Sequence, residues 1–209
     1  MKALLAALAT VVLAACVRQP QPQSRNPSVF APSAEPMPPK AALERFYQVS
    51  RVIDSTTRDS VIEIVVQANF RSPRVQCTNL DGPPTRLSLS VMRHDGAGGG
   101  SAVFLGVEYE ASEGLVVTGD RTLQLRLNGV QFEPVPTDAP VRRAQFTRSE
   151  KMLYRMSAHD LQRIVNADTA SVHLLGRAGR CDSPVTGHAR GLIALFLERE
   201  LADLVAEKR

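Results

Sequence analysis

The chain has 209 residues, and its 25 lysines and arginines slightly outnumber its 21 aspartates and glutamates, giving a net charge of +4. The arginines are scattered along the chain, so this mild excess is typical of a solvated surface and argues against a nucleic-acid partner. Aromatic residues make up 5% of the chain and tryptophan is absent, which argues against a carbohydrate site built on aromatic stacking.

The N-terminal segment has the composition of an export signal. One lysine is followed by a short apolar run and then by small residues that precede Cys16. The apolar run is shorter than the roughly 20 residues that a permanent transmembrane helix needs, and a polar, proline-rich stretch follows it. The sequence therefore predicts a removable signal peptide and no lasting membrane span.

The four residues Leu13-Ala14-Ala15-Cys16 resemble the lipobox of bacterial lipoproteins, a resemblance that covers only the first 16 residues. It implies that residues 1–15 are removed as a signal peptide and that the Cys16 sulfur receives a diacylglyceryl group. Acylation of the new amino group is common in that family, and two or three chains anchor stably because each buried methylene contributes about 0.8 kcal/mol. The alternative is an ordinary secretory signal with a chance cysteine.

Lipidation of Cys16 implies a location in the cell envelope, with the membrane as a partner. Val17, and not an aspartate, follows the cysteine. In a Gram-negative host the resemblance therefore implies sorting to the outer membrane, with the domain facing the periplasm.

The stretch behind the anchor is rich in proline. Residues 17–40 hold seven of the chain's 14 prolines, and such a composition favours extended, polyproline-like conformations. At about 3.1 Å per residue, the segment could hold a domain up to roughly 70 Å from its lipid. We therefore expect residues 16–40 to be a lipidated cysteine and linker, and residues 41–209 to form a single domain.

Once Cys16 is assigned to lipid, Cys77 and Cys181 remain. An even number of cysteines in an oxidising compartment predicts a disulfide bond between them. Closing a loop of about 100 residues stabilises a fold by roughly 4 kcal/mol in the chain-entropy model.

The pattern of apolar residues predicts an α+β fold. Segments 61–70, 87–92, 103–109 and 121–128 show the two-residue period of half-buried strands. We expect a mainly antiparallel β-sheet or sandwich.

Two helices are predicted in the last third of the chain. Ser157-Ala158-His159-Asp160 fits a capping box that begins a short helix ending near Asn166. Apolar residues from Leu192 to Val205 indicate a C-terminal amphipathic helix. Both helices are expected to pack on the sheet.

The sequence contains no recognisable catalytic or metal-binding motif, so we predict no metal, cofactor or catalytic residue. Gly-x-Ser-x-Gly and Ser-x-x-Lys patterns are absent. No two histidines have the i, i+2 or i, i+4 spacing of paired ligands, and we interpret them as surface or capping residues. An enzyme would need two or more of these side chains to converge in a cleft: His94, Asp95, His159, His173, Asp182 and His188.

Three functions remain open. The first is a non-catalytic envelope lipoprotein whose domain binds another envelope component, such as an envelope protein, or helps an assembly. The second is a carrier for a lipid or small apolar ligand, which needs an interior cavity; its lining would include Ile64, Val66, Leu123 and Leu125. The third is an envelope hydrolase built from residues dispersed in the sequence.

Overall fold

The computed structural model describes residues 35–67, 76–78, 86–110, 123–137, 142–144, 149–177 and 179–206. The predicted signal peptide, Cys16 and most of the predicted linker lie outside these residues. In chain order the described elements are α1 (Lys40–Glu44), β1 (Val49–Ile53), β2 (Ser60–Gln67), β3 (Gln76–Thr78), β4 (Arg86–Asp95), β5 (Ser101–Glu110), β6 (Leu123–Leu127), β7 (Val130–Phe132), β8 (Val135–Pro136), β9 (Arg142–Ala144), β10 (Ser149–Met156), α2 (Ala158–Asn166), β11 (Ala170–Leu175), β12 (Arg180–Pro184), α3 (Gly187–Glu200) and α4 (Ala202–Ala206).

The strands form two antiparallel sheets. The large sheet has the order β1-β2-β4-β5-β10-β8, and β9 also pairs with β10. The small sheet has the order β3-β12-β11-β6-β7. One hydrophobic core contains the inward-facing residues of both sheets together with those of α2 and α3. The predicted α+β class, with mainly antiparallel sheet, is confirmed.

The small sheet has one buried face and one partly exposed face. On β6, Leu123, Leu125 and Leu127 are 0–7% exposed, as the alternation predicts. On β11, Val172 and Leu174 are likewise buried. Because successive side chains of a strand point to opposite faces, the intervening residues of both strands lie on the face away from the core.

Helix α2 begins at the predicted capping box. The Ser157 hydroxyl accepts a hydrogen bond from the Asp160 amide at 3.1 Å, and the Asp160 carboxylate accepts one from the Ser157 amide at 3.1 Å. These bonds satisfy two amide groups that the first helical turn otherwise leaves without partners. Leu161, Ile164 and Val165 then turn towards the core.

Helix α3 packs on the domain as predicted, but its buried surface is wider than a single apolar stripe. Residues 35–47 lie against it. A Cβ on Gly187 would overlap the Pro36 carbonyl oxygen, and one on Gly191 would overlap the Leu43 side chain. These two glycines therefore allow the preceding segment to approach the helix closely, including residues at the end of the predicted linker.

Arg190 on α3 connects the helix to two neighbouring segments. It is 6% exposed and donates hydrogen bonds to the backbone carbonyls of Ala167 and Glu35. The helix is thereby tied both to the end of α2 and to the start of the described chain. None of the helices in the described ranges has the length and apolar character needed to cross a bilayer.

The predicted disulfide bond between Cys77 and Cys181 is present. The two residues lie directly opposite each other on β3 and β12, with their Cα atoms 4.1 Å apart. The bond joins positions 104 residues apart in sequence and fixes the edge strand β3 to the rest of the small sheet.

Candidate functional site

A hydrogen-bonded chain of three side chains lies on the face of the small sheet that points away from the core. Strand β11 supplies Ser171 and His173, and β12 supplies Asp182, which is directly opposite His173 in the register. Because Val172 and Cys181 turn into the core, these three side chains share the opposite face. We call them the Ser–His–Asp chain.

The distances within the Ser–His–Asp chain are those of hydrogen bonds. The Ser171 Oγ lies 3.0 Å from His173 Nε2, and His173 Nδ1 lies 2.7 Å from Asp182 Oδ1. The His173 and Asp182 side chains are 12% and 23% exposed, so both are partly shielded from water. Hydroxyl, imidazole and carboxylate thus stand in the order of a nucleophile, a base and the acid that orients the base.

Arg180 holds the carboxylate from its other side. Its Nε donates to Asp182 Oδ1 and its Nη2 donates to Asp182 Oδ2, both at 2.6 Å. Burial raises the pKa of Asp182, but hydrogen bonds from His173 and Arg180, together with their charges, outweigh this effect and leave the pKa below its usual value.

An ionised Asp182 determines which nitrogen of His173 carries the proton. A carboxylate only accepts hydrogen bonds, so the 2.7 Å contact assigns the proton to Nδ1, and this contact is shorter than the 3.3 Å between Nδ1 and Arg180 Nη2. In the neutral imidazole Nε2 is then the acceptor, and the Ser171 hydroxyl donates to it. This is the arrangement that a general base needs next to a hydroxyl nucleophile.

Strand β6 places further polar groups beside the Ser–His–Asp chain. Arg126 is directly opposite Ser171, and Gln124 is directly opposite His173. Gln124 donates to Glu133 at 3.2 Å, whereas no residue in the described ranges pairs with the exposed guanidinium of Arg126. Among the described residues, Arg126 is thus an unpaired cation directly across from Ser171.

Of the six side chains that the sequence offered for chemistry, the structure brings His173 and Asp182 together. On β4, His94 Nε2 lies 3.6 Å from Asp59 Oδ2. The His188 ring contacts the Phe46 ring edge-on, with 5.1 Å between their centroids. His159 is exposed in the first turn of α2. Within the described ranges, no group of three acidic, histidine or cysteine side chains is placed to hold a metal ion.

Asp95, the remaining candidate, serves the turn between β4 and β5. It accepts hydrogen bonds from Arg93 at 2.7 Å and from Ser101 at 2.6 Å. Burial raises the pKa of Asp95, but these two hydrogen bonds and the charge of Arg93 outweigh burial and leave the pKa below its usual value. The result is an ionised, structural carboxylate.

No protein-family model matches the chain, and no curated protein or solved structure resembles it significantly.

A second feature is a groove between α2 and α4. Its larger part, of about 880 Å³, also borders the start of β5 and the end of β10. A smaller part, of about 490 Å³, continues between α2, α3 and α4, and Gln162 and Val205 line both parts. We call the two parts together the α2–α4 groove.

The larger part of the α2–α4 groove combines apolar walls with positive or polar groups. Its apolar lining consists of Ala102, Val103, Met156, Ala158, Leu204 and Val205. Arg155 and His159 are its titratable residues, and its described lining contains no carboxylate. This larger part therefore suits an apolar ligand that carries negative charge, whereas the lining of the smaller part includes Glu198, which is paired with Lys40 at 2.6 Å.

The residues expected to line a carrier cavity lie elsewhere. Ile64, Val66, Leu123 and Leu125 are 0–3% exposed and belong to the hydrophobic core. None of the four lines either part of the α2–α4 groove.

We expect Asp182→Asn to lower the free energy of unfolding by about 1–2 kcal/mol at pH 7, because it removes charge-assisted hydrogen bonds to His173 and Arg180. The pKa of Asp182 is lower in the folded chain than in the unfolded chain. The carboxylate therefore stabilises the fold fully above an unfolded pKa of about 4, and loses this effect as the pH falls through the folded pKa.

Urea denaturation at a series of pH values from 7 to 2.5 measures this contribution. The difference between the wild type and Asp182→Asn should narrow below about pH 4, while Asp168→Asn, at an exposed position after α2, serves as the matched control. A difference that stays constant over the whole range would contradict the electrostatic account.

Proposed function

We propose that the chain is a lipid-anchored protein of the cell envelope whose folded domain binds another envelope protein in the α2–α4 groove. Cys16 supplies the location, and the proline-rich segment supplies reach. The observation that supports the binding role most directly is the groove itself, an open apolar surface with the guanidinium of Arg155 at one side. Binding requires no chemistry at this surface.

The lining of the groove indicates the chemistry of the partner. Val205 is 38% exposed on α4, a helix with no buried residue. It adjoins the apolar residues that line both parts of the groove, and a contiguous apolar surface of this kind is typical of interaction sites. Arg155 and His159 favour a carboxylate, so the expected partner segment has apolar side chains and at least one acidic residue.

The apolar lining also fits a negatively charged amphiphile, such as a fatty acid, which is the alternative carrier function. A protein segment is favoured because the groove is an open surface that continues over three helices, whereas a carrier encloses most of its ligand. The crosslinking experiment below distinguishes the two.

Replacing Cys16 with alanine should release the chain from membranes or leave it with an uncleaved signal, because the acyl chains provide the anchoring energy. Fractionation and metabolic labelling with a radioactive fatty acid measure both effects in cells that express the full chain. The double variant Cys77→Ala/Cys181→Ala, which keeps Cys16, should still be labelled. If Cys16→Ala were labelled and fractionated like the wild type, the anchor would be wrong.

A photo-crosslinking residue placed at Gln162, which lines both parts of the groove, should form a discrete protein adduct in native membranes. Arg155→Glu and Val205→Glu should abolish the adduct, because each adds a negative charge that repels the acidic residue of the partner segment. Arg155→Lys should retain it. Val130→Glu, at a residue 64% exposed on β7, is the control for added surface charge.

The crosslinked segment should contain apolar residues and an acidic side chain when mapped by mass spectrometry. An adduct with lipid alone would contradict the protein-binding role and support the carrier. An adduct that survives Arg155→Glu and Val205→Glu would show that the partner binds elsewhere.

A further inference from the structure

We propose that the Ser–His–Asp chain is a catalytic site that hydrolyses short-chain carboxylic esters, with Ser171 as the nucleophile. This activity goes beyond the binding role of the groove, because Ser171 lines neither part of it. It corresponds to the third function that the sequence left open, an envelope hydrolase whose residues are dispersed along the chain.

The nucleophile and base are already in contact. The 3.0 Å separation of Ser171 Oγ and His173 Nε2 is within the range in which a base removes a hydroxyl proton. The 2.7 Å contact of Nδ1 with Asp182 orients the ring and stabilises the imidazolium that forms when Nε2 takes that proton. Ser171 and His173 are the catalytic residues, and Asp182 is a positioning residue.

Arg180 is a second positioning residue. Its two 2.6 Å bonds use both oxygens of Asp182 and fix the plane of the carboxylate. The carboxylate then has one orientation in which to accept from His173. Removing the Arg180 side chain should therefore alter the orientation of His173, although Arg180 itself does not contact the substrate.

The developing oxyanion needs a donor, and the register supplies Arg126. Strand β11 lies between β6 and β12, so its backbone N–H groups are used in the ladders on both sides. Directly opposite side chains on neighbouring antiparallel strands have Cβ atoms about 5 Å apart. The exposed guanidinium of Arg126, which pairs with no residue in the described ranges, is therefore within reach of an oxyanion formed at Ser171, where its positive charge would stabilise the transition state.

The reaction balances without any further reactant except water. Ser171 Oγ attacks the ester carbonyl carbon while its proton passes to His173 Nε2. The bond from that carbon to the alkoxy oxygen breaks, and the departing alcohol takes the proton from His173. Water then gives a proton to His173 and attacks the acyl-serine, whose acyl–oxygen bond breaks as Ser171 Oγ recovers the proton. An acid and an alcohol are released.

The surroundings of Ser171 favour a small acyl group. The residues directly opposite Ser171 are Arg126 on β6 and Pro184 on β12, and all three lie on the face of the small sheet that points away from the core. The acyl group would rest on this face, because the α2–α4 groove lies elsewhere. Acetyl esters are therefore the expected substrate class, and p-nitrophenyl acetate is the probe.

The test uses the purified full-length lipidated protein in detergent. A fluorophosphonate should label it, and peptide mapping should place the label on Ser171. Hydrolysis of p-nitrophenyl acetate should fall at least about 100-fold, to the background rate, in Ser171→Ala and His173→Ala. His94→Gln, at a partly exposed histidine of β4, is the matched control and should keep the wild-type rate.

The roles of the other residues have separate readouts. Asp182→Asn should lower kcat and change the pH profile of the rate, because the imidazole loses its orienting carboxylate. Arg126→Gln should lower kcat with little change in KM, and Arg126→Lys should restore part of the rate. A loss caused by unfolding is recognised by circular dichroism of each variant.

Two results would overturn the proposal. One is a wild-type protein that the fluorophosphonate leaves unlabelled at Ser171. The other is a hydrolysis rate in folded Ser171→Ala equal to that of the wild type. Neither depends on whether the groove binds a partner, so the two functions fail or stand separately.

Discussion

Burial of one face of the small sheet is the constraint on which the candidate site depends. Val172 and Leu174 are buried on β11, and a fully buried side chain of this kind contributes about 1.5–3 kcal/mol. A slip of one residue would turn them to the exposed face, so the register is strongly specified. The same register places His173 opposite Asp182. The polar chemistry on the outer face is thus positioned by apolar packing on the inner one.

The disulfide bond supports the same strand. Cys181 lies between Arg180 and Asp182 in sequence, and its side chain turns inward while theirs turn outward. The bond to Cys77 therefore fixes the backbone from which both members of the ion pair project. In this account the lipidated Cys16 locates the protein, the other two cysteines hold the small sheet together, and the α2–α4 groove offers a separate binding surface.

Much of the fold could be predicted because its signals are local. Alternation predicted β2, β4, β5 and β6, the pairing of Ser157 with Asp160 predicted the start of α2, and the number of cysteines predicted the disulfide pair. The wide burial of α3 could not be predicted, since it depends on residues 35–47 lying against two glycines. One local signal was missed: Asn128-Gly129, with φ values of 49° and 81°, forms the tight turn between β6 and β7.

The candidate site was harder to predict, because spacing along the chain places Ser171 with His173 but says nothing of which strand lies beside them. Proton-detected nitrogen NMR of His173 tests the Ser–His–Asp chain most directly. We expect a proton on Nδ1 that is protected from exchange and is lost from view in Asp182→Asn. A ring protonated at Nε2, or a spectrum unchanged by Asp182→Asn, would contradict it.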